Sequence, residues 1–203
     1  MRKFPVIQVK ICSITNEEDA ILAAQYGADA IGLIFADSPR QITPAKAGEI
    51  VRAVSPFITT VGVFMNQTVD FVKEASAVSG VDRIQLHGEE SPDFCAQAGK
   101  RVIKRIMVKP SDTAAFIMDR IKPYSHCDIL LDPGAGGGQI FDWRLVSDLE
   151  WPIILAGGLN PNNVWAAIQM AHPFAVDVSS GVECHPGKKD PEKLKAFLQE
   201  VKV

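Results

Sequence analysis

The sequence has no CxxC pair, no block of lysine or arginine, and no apolar run approaching a membrane span. Each absence removes a class of function. The four cysteines, Cys12, Cys95, Cys127 and Cys184, lie far apart, which reads as reduced thiols in the cytoplasm and argues against a zinc site. A formal charge of −3 without a basic cluster disfavours a nucleic-acid partner or a membrane-binding helix. The opening stretch "MRKFPVIQVK" is too short and too polar for a signal peptide, so a cytoplasmic protein is expected. No low-complexity linker divides the chain. With 47% hydrophobic residues, a single domain over residues 1–203 can bury a full core.

What is present alternates. Runs rich in Val, Ile and Leu occur at "VIQVKIC", "AIGLIFA", "TTVGVFM", "RIQLHG", "RVIKRIMV", "CDILLD", "PIILAGG" and "AVDVSSG", none broken by proline. Each is followed by a helical pattern, from "EEDAILAAQYG" to the closing "DPEKLKAFLQEVKV". Thr15 with Glu18 fits a capping box, Thr43-Pro44 and Ser91-Pro92 place proline just inside a cap, and Gly27, Gly80 and Gly99 stand where helices should stop. Strands apolar on both faces imply a parallel sheet covered by helices, an α/β architecture. Eight such units favour a closed (β/α)8 barrel, the TIM barrel, over an open doubly wound sheet.

In such a barrel the chemistry gathers at the carboxyl ends of the strands. Two adjacent ends are rich in glycine: "LAGGLNPNN" with Gly157 and Gly158, and "VDVSSGVE" with Ser179, Ser180 and Gly181. Glycine lets backbone N–H groups approach an anion closely, so a phosphate seat is expected there. Alternation puts Asp128, Leu130 and Asp132 on one face, with Asp132 nearest the mouth, where a carboxyl group can move a proton. Asp142, beyond a glycine loop, is the better capping candidate for the next helix. Cys12 ends the first strand. A free thiol is mostly protonated at neutral pH, and positive charge nearby is needed to make it a base. The helix start near Thr15 and Lys10 could supply that charge, although Lys10 can equally pair with Asp177 across the seam of a closed barrel. Arg40 offers a fork for a carboxylate or is a solvated loop residue. Gln85 and His87 point inward near the mouth of the fourth strand, with no proton-transfer role assigned to the imidazole. Asn66 reads as a turn residue, and Cys95 and Cys127 as packing. Cys184 and His185 do not make a metal site.

Taken in order, "VKIC" with "EDA", "GAD", "SPR", "VGVF", "QLHGEE", "DILLD" with "FDW", "LAGGLNPNNV" and "AVDVSSGVE" with "PGKKD" resemble the phosphoribosylanthranilate isomerase family of tryptophan biosynthesis nearly end to end. The resemblance implies an Amadori rearrangement of a small phosphorylated substrate, with no metal or organic cofactor. It implies Asp132 as general acid, Cys12 as general base, Arg40 on the anthranilate carboxylate and the two glycine-rich ends on the phosphate. Two departures stand out. Ser13 occupies the position where the family usually has glycine, which strains the backbone if φ is positive there. The stretch "GAGGGQI" after Asp132 looks shortened, which predicts altered loop behaviour. Another sugar-phosphate barrel enzyme, or a barrel that binds a phosphorylated ligand without turnover, are the rival readings. The helix faces show no decisive apolar stripe, so monomer and homodimer are both compatible with the sequence.

Overall fold

A computed structural model describes residues 7–134 and 140–202. Eight strands, β1 (Gln8–Ile11), β2 (Ala30–Ile34), β3 (Thr59–Phe64), β4 (Arg83–Leu86), β5 (Val102–Met107), β6 (Asp128–Asp132), β7 (Ile153–Leu155) and β8 (Ala175–Val178), form a closed barrel in chain order. Every neighbouring pair is parallel. Closure comes from β1 pairing with both β2 and β8, in a register that sets Lys10 opposite Asp177. The expected barrel is therefore the observed one.

Helices α1 (Glu17–Gln25), α2 (Pro44–Ala53), α3 (Val69–Ser79), α4 (Pro92–Gln97), α5 (Ala114–Ile121), α6 (Arg144–Ser147), α7 (Val164–Ala171) and α8 (Pro191–Val201) follow the strands in turn. Local chemistry sets most of their starts. Thr43, Thr68, Ser91, Thr113 and Asp190 each accept a hydrogen bond from a first-turn amide, satisfying donors that have no partner inside the helix. The expected cap of α6 by Asp142 is corrected: its side chain accepts from the Arg144 amide at 3.1 Å, but Trp143 stands at the cap and no side chain caps the helix. The expected capping box is corrected. Asn16, not Thr15, caps α1 through the Asp19 amide, because the Thr15 hydroxyl donates to the Gly187 carbonyl at 2.5 Å and Glu18 pairs with Lys188.

The main core lies between barrel and helices, with Ile11, Leu33, Phe64, Leu86, Ile129 and Leu155 pointing outward into it. Inside the barrel is a smaller apolar plug of Val61, Ile103, Leu130 and Ala156. This plug is the floor of the upper cavity. Below it, Asp128 pairs with Arg83 at 3.1 Å and Arg101 at 2.8 Å. A short antiparallel hairpin of β9 (Glu183–His185) and β10 (Lys188–Lys189) follows β8. It is laced to α1: the Lys188 ammonium reaches Glu18 and Asp19, and the Lys189 amide donates to Asp19. Most of the shortened stretch after Asp132, residues 135–139, lies outside the described residues.

Candidate active site

A cavity of about 350 Å³ opens at the carboxyl ends of the strands. Cys12, Arg40, Gln85, His87, Asp132, Gly157, Gly158, Ser179, Ser180 and Gly181 all line it. The order of strands around the ring brings together residues up to 169 positions apart in the chain.

Cys12 is buried just past β1. Its place depends on an absent side chain across the ladder: a Cβ built on Gly32 would lie 2.7 Å from the Cys12 Sγ and 3.1 Å from the Lys10 Cε. The Lys10 ammonium, 2.8 Å from Asp177, lies below the thiol. Burial opposes its charge, but Asp177 and Cys12 outweigh that cost and push the ammonium up to about 12. Lys10 is thus paired with Asp177, as the barrel seam suggested, and stands beside the sulfur as well. Arg40 and Lys189 also lie within electrostatic reach of the sulfur, so three cations surround one thiol. Ser13 has φ 65°, the left-handed region, at a cost of about 1–2 kcal/mol for an L side chain. Its hydroxyl shares a 2.6 Å hydrogen bond with that of Ser179, which ties the β1 loop to the β8 loop.

Asp132 ends β6. Its Oδ1 accepts from the Gly134 amide at 2.6 Å and lies 4.0 Å from the Arg105 Nη2. Burial holds its carboxyl above the ordinary aspartate range, although the Gly134 amide and Arg105 oppose that shift. A shift in this direction favours the protonated form and suits an acid. Pro133, the next residue, packs where a Cβ on Gly157 would fall, which brings the β6 and β7 loops into contact.

The Gln85 amide nitrogen lies 3.0 Å from the His87 Nδ1. An amide N–H donating there leaves the proton on Nε2. Burial, with Arg105, Lys10 and Lys104 nearby, lowers the His87 pKa from 6.5 to about 3, so the ring is neutral near pH 7. This carries a stability consequence. Between about pH 6.5 and 3 the unfolded chain holds a proton on this ring that the folded chain does not, so stability is present above 6.5 and is lost as pH falls. The slope is up to about 1.4 kcal/mol per pH unit. Urea titrations at pH 7 and 5 should show a smaller loss for His87→Gln than for the parent. Equal losses would remove the imidazole from the account.

Arg40 is neither free nor simply solvated. Its Nε and Nη2 reach both oxygens of the buried Glu183 at 2.7–3.1 Å, while Nη1 has no partner among the described residues. The Lys189 ammonium, also buried, donates to Glu183 at 3.1 Å and to the Ser179 carbonyl at 3.2 Å. Burial alone would raise the Glu183 carboxyl, but Arg40 and Lys189 outweigh it and hold it down. Sequence reasoning missed Glu183, Lys189 and Arg105, although the quoted motifs "SSGVE" and "PGKKD" contain the first two.

The loops after β7 and β8 press on each other: a Cβ on Gly181 would overlap the Leu159 carbonyl. Asn160 and Asn163 side chains hold the first loop through the Gly158 carbonyl. Among the described residues the Gly157 and Gly158 amides donate to no protein acceptor, which leaves two N–H groups for a ligand anion. Asn66 is the expected turn residue, with φ 58° and its side chain accepting from the Glu89 amide. Cys95 and Cys127 are buried in the core, as expected, and Cys184 is exposed.

The model of the family described as N-(5′-phosphoribosyl)anthranilate (PRA) isomerase matches residues 9–200. N-(5′-phosphoribosyl)anthranilate isomerase of Pelobacter propionicus is 42% identical over 206 residues, covering 96% of this chain and 95% of the relative. Among solved structures, phosphoribosyl anthranilate isomerase from Thermotoga maritima superposes with a TM-score of 0.89 at 40% identity, covering 97% of this chain and 98% of that one. Another structure of such an isomerase, in complex with reduced 1-(o-carboxyphenylamino)-1-deoxyribulose 5-phosphate, gives a TM-score of 0.86 at 40% identity and the same coverage. A match that runs through every unit of the barrel, and identity at this level over both whole chains, place this chain in the N-(5′-phosphoribosyl)anthranilate isomerase family.

Proposed function

We propose that this chain converts N-(5′-phosphoribosyl)anthranilate to 1-(2-carboxyphenylamino)-1-deoxyribulose 5-phosphate. The observation that carries the reading is one cavity lined by a cation-flanked thiol, a buried carboxyl group and two glycine-rich loops. Asp132 gives a proton to the ribose ring oxygen as the C1′–O bond breaks, and the anthranilate nitrogen supplies the electrons for the Schiff base. Cys12 then takes the C2′ proton, and the resulting enolamine tautomerises to the ketone. The two groups need opposite protonation states at one pH, and burial favours the protonated form of Asp132 while cations stand beside the thiol. The Gly157–Gly158 amides and the β8 loop with Ser179, Ser180 and Gly181 seat the phosphate. Arg40, oriented by Glu183, offers its remaining donors to the anthranilate carboxylate. Anions gripped at both ends fix the sugar between acid and base.

Incubation of the purified protein with the substrate, with chromatographic separation of the two isomers, tests the reading. Growth without tryptophan of a strain lacking the isomerase tests it in the cell. A folded protein that binds the substrate without converting it would leave the binding-barrel reading in its place. A finer prediction concerns the room made for the sulfur. Gly32→Ala should displace the Cys12 side chain and lower kcat about tenfold to a hundredfold, with KM little changed. An unchanged kcat would show that the thiol need not stand there.

A further inference from the structure

Arg105 is a buried charge with no part in the chemistry above. It points inward from β5, opposite Leu130 and two residue pairs below the Met107–Asp132 pair. Only 5% of it is exposed, and its Nε has no hydrogen-bond partner among the described residues. Burying an arginine without partners is costly, so its surroundings must offset the charge. The charged groups around it are Asp132 on β6, Glu89 and Glu90 in the β4 loop, and Arg120 on α5. Glu90 is committed to Lys104 at 2.7 Å and to the Asn66 and Gly88 amides, while Arg120 is held by Asp112 and the Met107 carbonyl. Asp132, at 4.0 Å, is the carboxyl group within ion-pair distance of the Arg105 guanidinium among the described residues.

We propose that Arg105 is a positioning residue that acts through Asp132, stabilising the carboxylate that remains once Asp132 has given its proton to the substrate. The proposal rests on Asp132 being the acid. When the C1′–O bond breaks, the proton moves from Asp132 to the ring oxygen and the nitrogen lone pair forms the C=N bond. A negative charge is left on Asp132 in a buried site. The division of its oxygens fits this step. Oδ1 is held by the Gly134 amide and faces Arg105, while Oδ2 has no protein partner among the described residues and is the oxygen able to carry the proton. The same burial that favours the protonated acid disfavours the anion it becomes, and a fixed cation 4.0 Å away lowers that barrier. A guanidinium suits the task because it stays charged and cannot compete for the proton. Asp132 is also faced by Asp177 from β8 and Lys10 from β1, but these two are paired with each other, so their fields largely cancel.

The test is the titration of Asp132, read by carbon NMR of protein labelled at the aspartate carboxyl carbon and assigned by the signal lost in Asp132→Asn. Arg105→Met should raise the midpoint by about one to three pH units, Arg105→Lys should restore most of the shift, and kcat should fall with KM within about twofold. Arg105→Gln serves the same comparison if the methionine variant does not fold. An unchanged midpoint overturns the proposal, and so does a shifted midpoint with unchanged kcat, since the pair would then be structural. Full activity of Asp132→Asn would overturn the underlying reading instead, a result distinct from both.

Discussion

Asp132→Asn should lower kcat by about two to four orders of magnitude, with affinity for a non-reacting product analogue within a few-fold of the parent. The substitution is close to isosteric and its amide oxygen can still accept from the Gly134 amide, so the end of β6 keeps its shape. What it loses is the transferable proton. Turnover within tenfold of the parent would mean that ring opening needs no acid from this position. Because the lesion precedes abstraction at C2′, substrate deuterated there should react with little isotope effect. Calorimetric titration of the analogue separates this outcome from a damaged pocket.

Cys12→Ser should be as severe, again about two to four orders of magnitude in kcat, but with the opposite isotopic signature. A serine hydroxyl fits the same volume against Gly32 and leaves the Lys10–Asp177 pair in place, yet it is far too weak an acid to be present as an anion near neutral pH. Ring opening remains possible and proton removal becomes the slow step, so C2′-deuterated substrate should show a large primary isotope effect. A variant that keeps near-parental turnover would take the base role from the thiol. The two isotope experiments together assign order as well as identity.

The barrel was legible because its units are local. Each alternation of an apolar run with a capped helix can be read within about 25 residues, and the caps at Thr43 and Ser91 follow from neighbours three positions away. Strand ends at the mouth were the least accurate. "PIILAGG" shrinks to Ile153–Leu155, because Gly157 and Gly158 adopt positive φ and leave the ladder. The misplaced cap of α1 has a non-local cause, since Thr15 is drawn to a carbonyl 172 residues away. Similarly, nothing near Arg40 in sequence announces Glu183, and nothing near Asp132 announces Arg105. Lys10 with Asp177 was predictable only because barrel closure fixes which strands are neighbours. Residues whose chemistry is their own, a thiol or a carboxyl group at a strand tip, could be picked out one by one. Residues that act by holding another charged group required the assembled ring.

The lacing of the β9–β10 hairpin to the start of α1 bears on how the chain is made. Thr15 is made 172 residues before the Gly187 carbonyl it binds, and Asp19 is made 169 residues before Lys188. Until then β1 has one open edge, and the loop carrying Cys12 lacks its anchor. Translation at about 5–20 residues per second keeps that first strand waiting for roughly ten seconds or more. The growing polypeptide therefore stays incomplete as an enzyme until β8 and the hairpin after it have been made, and a product truncated before them would expose an unpaired edge to its neighbours.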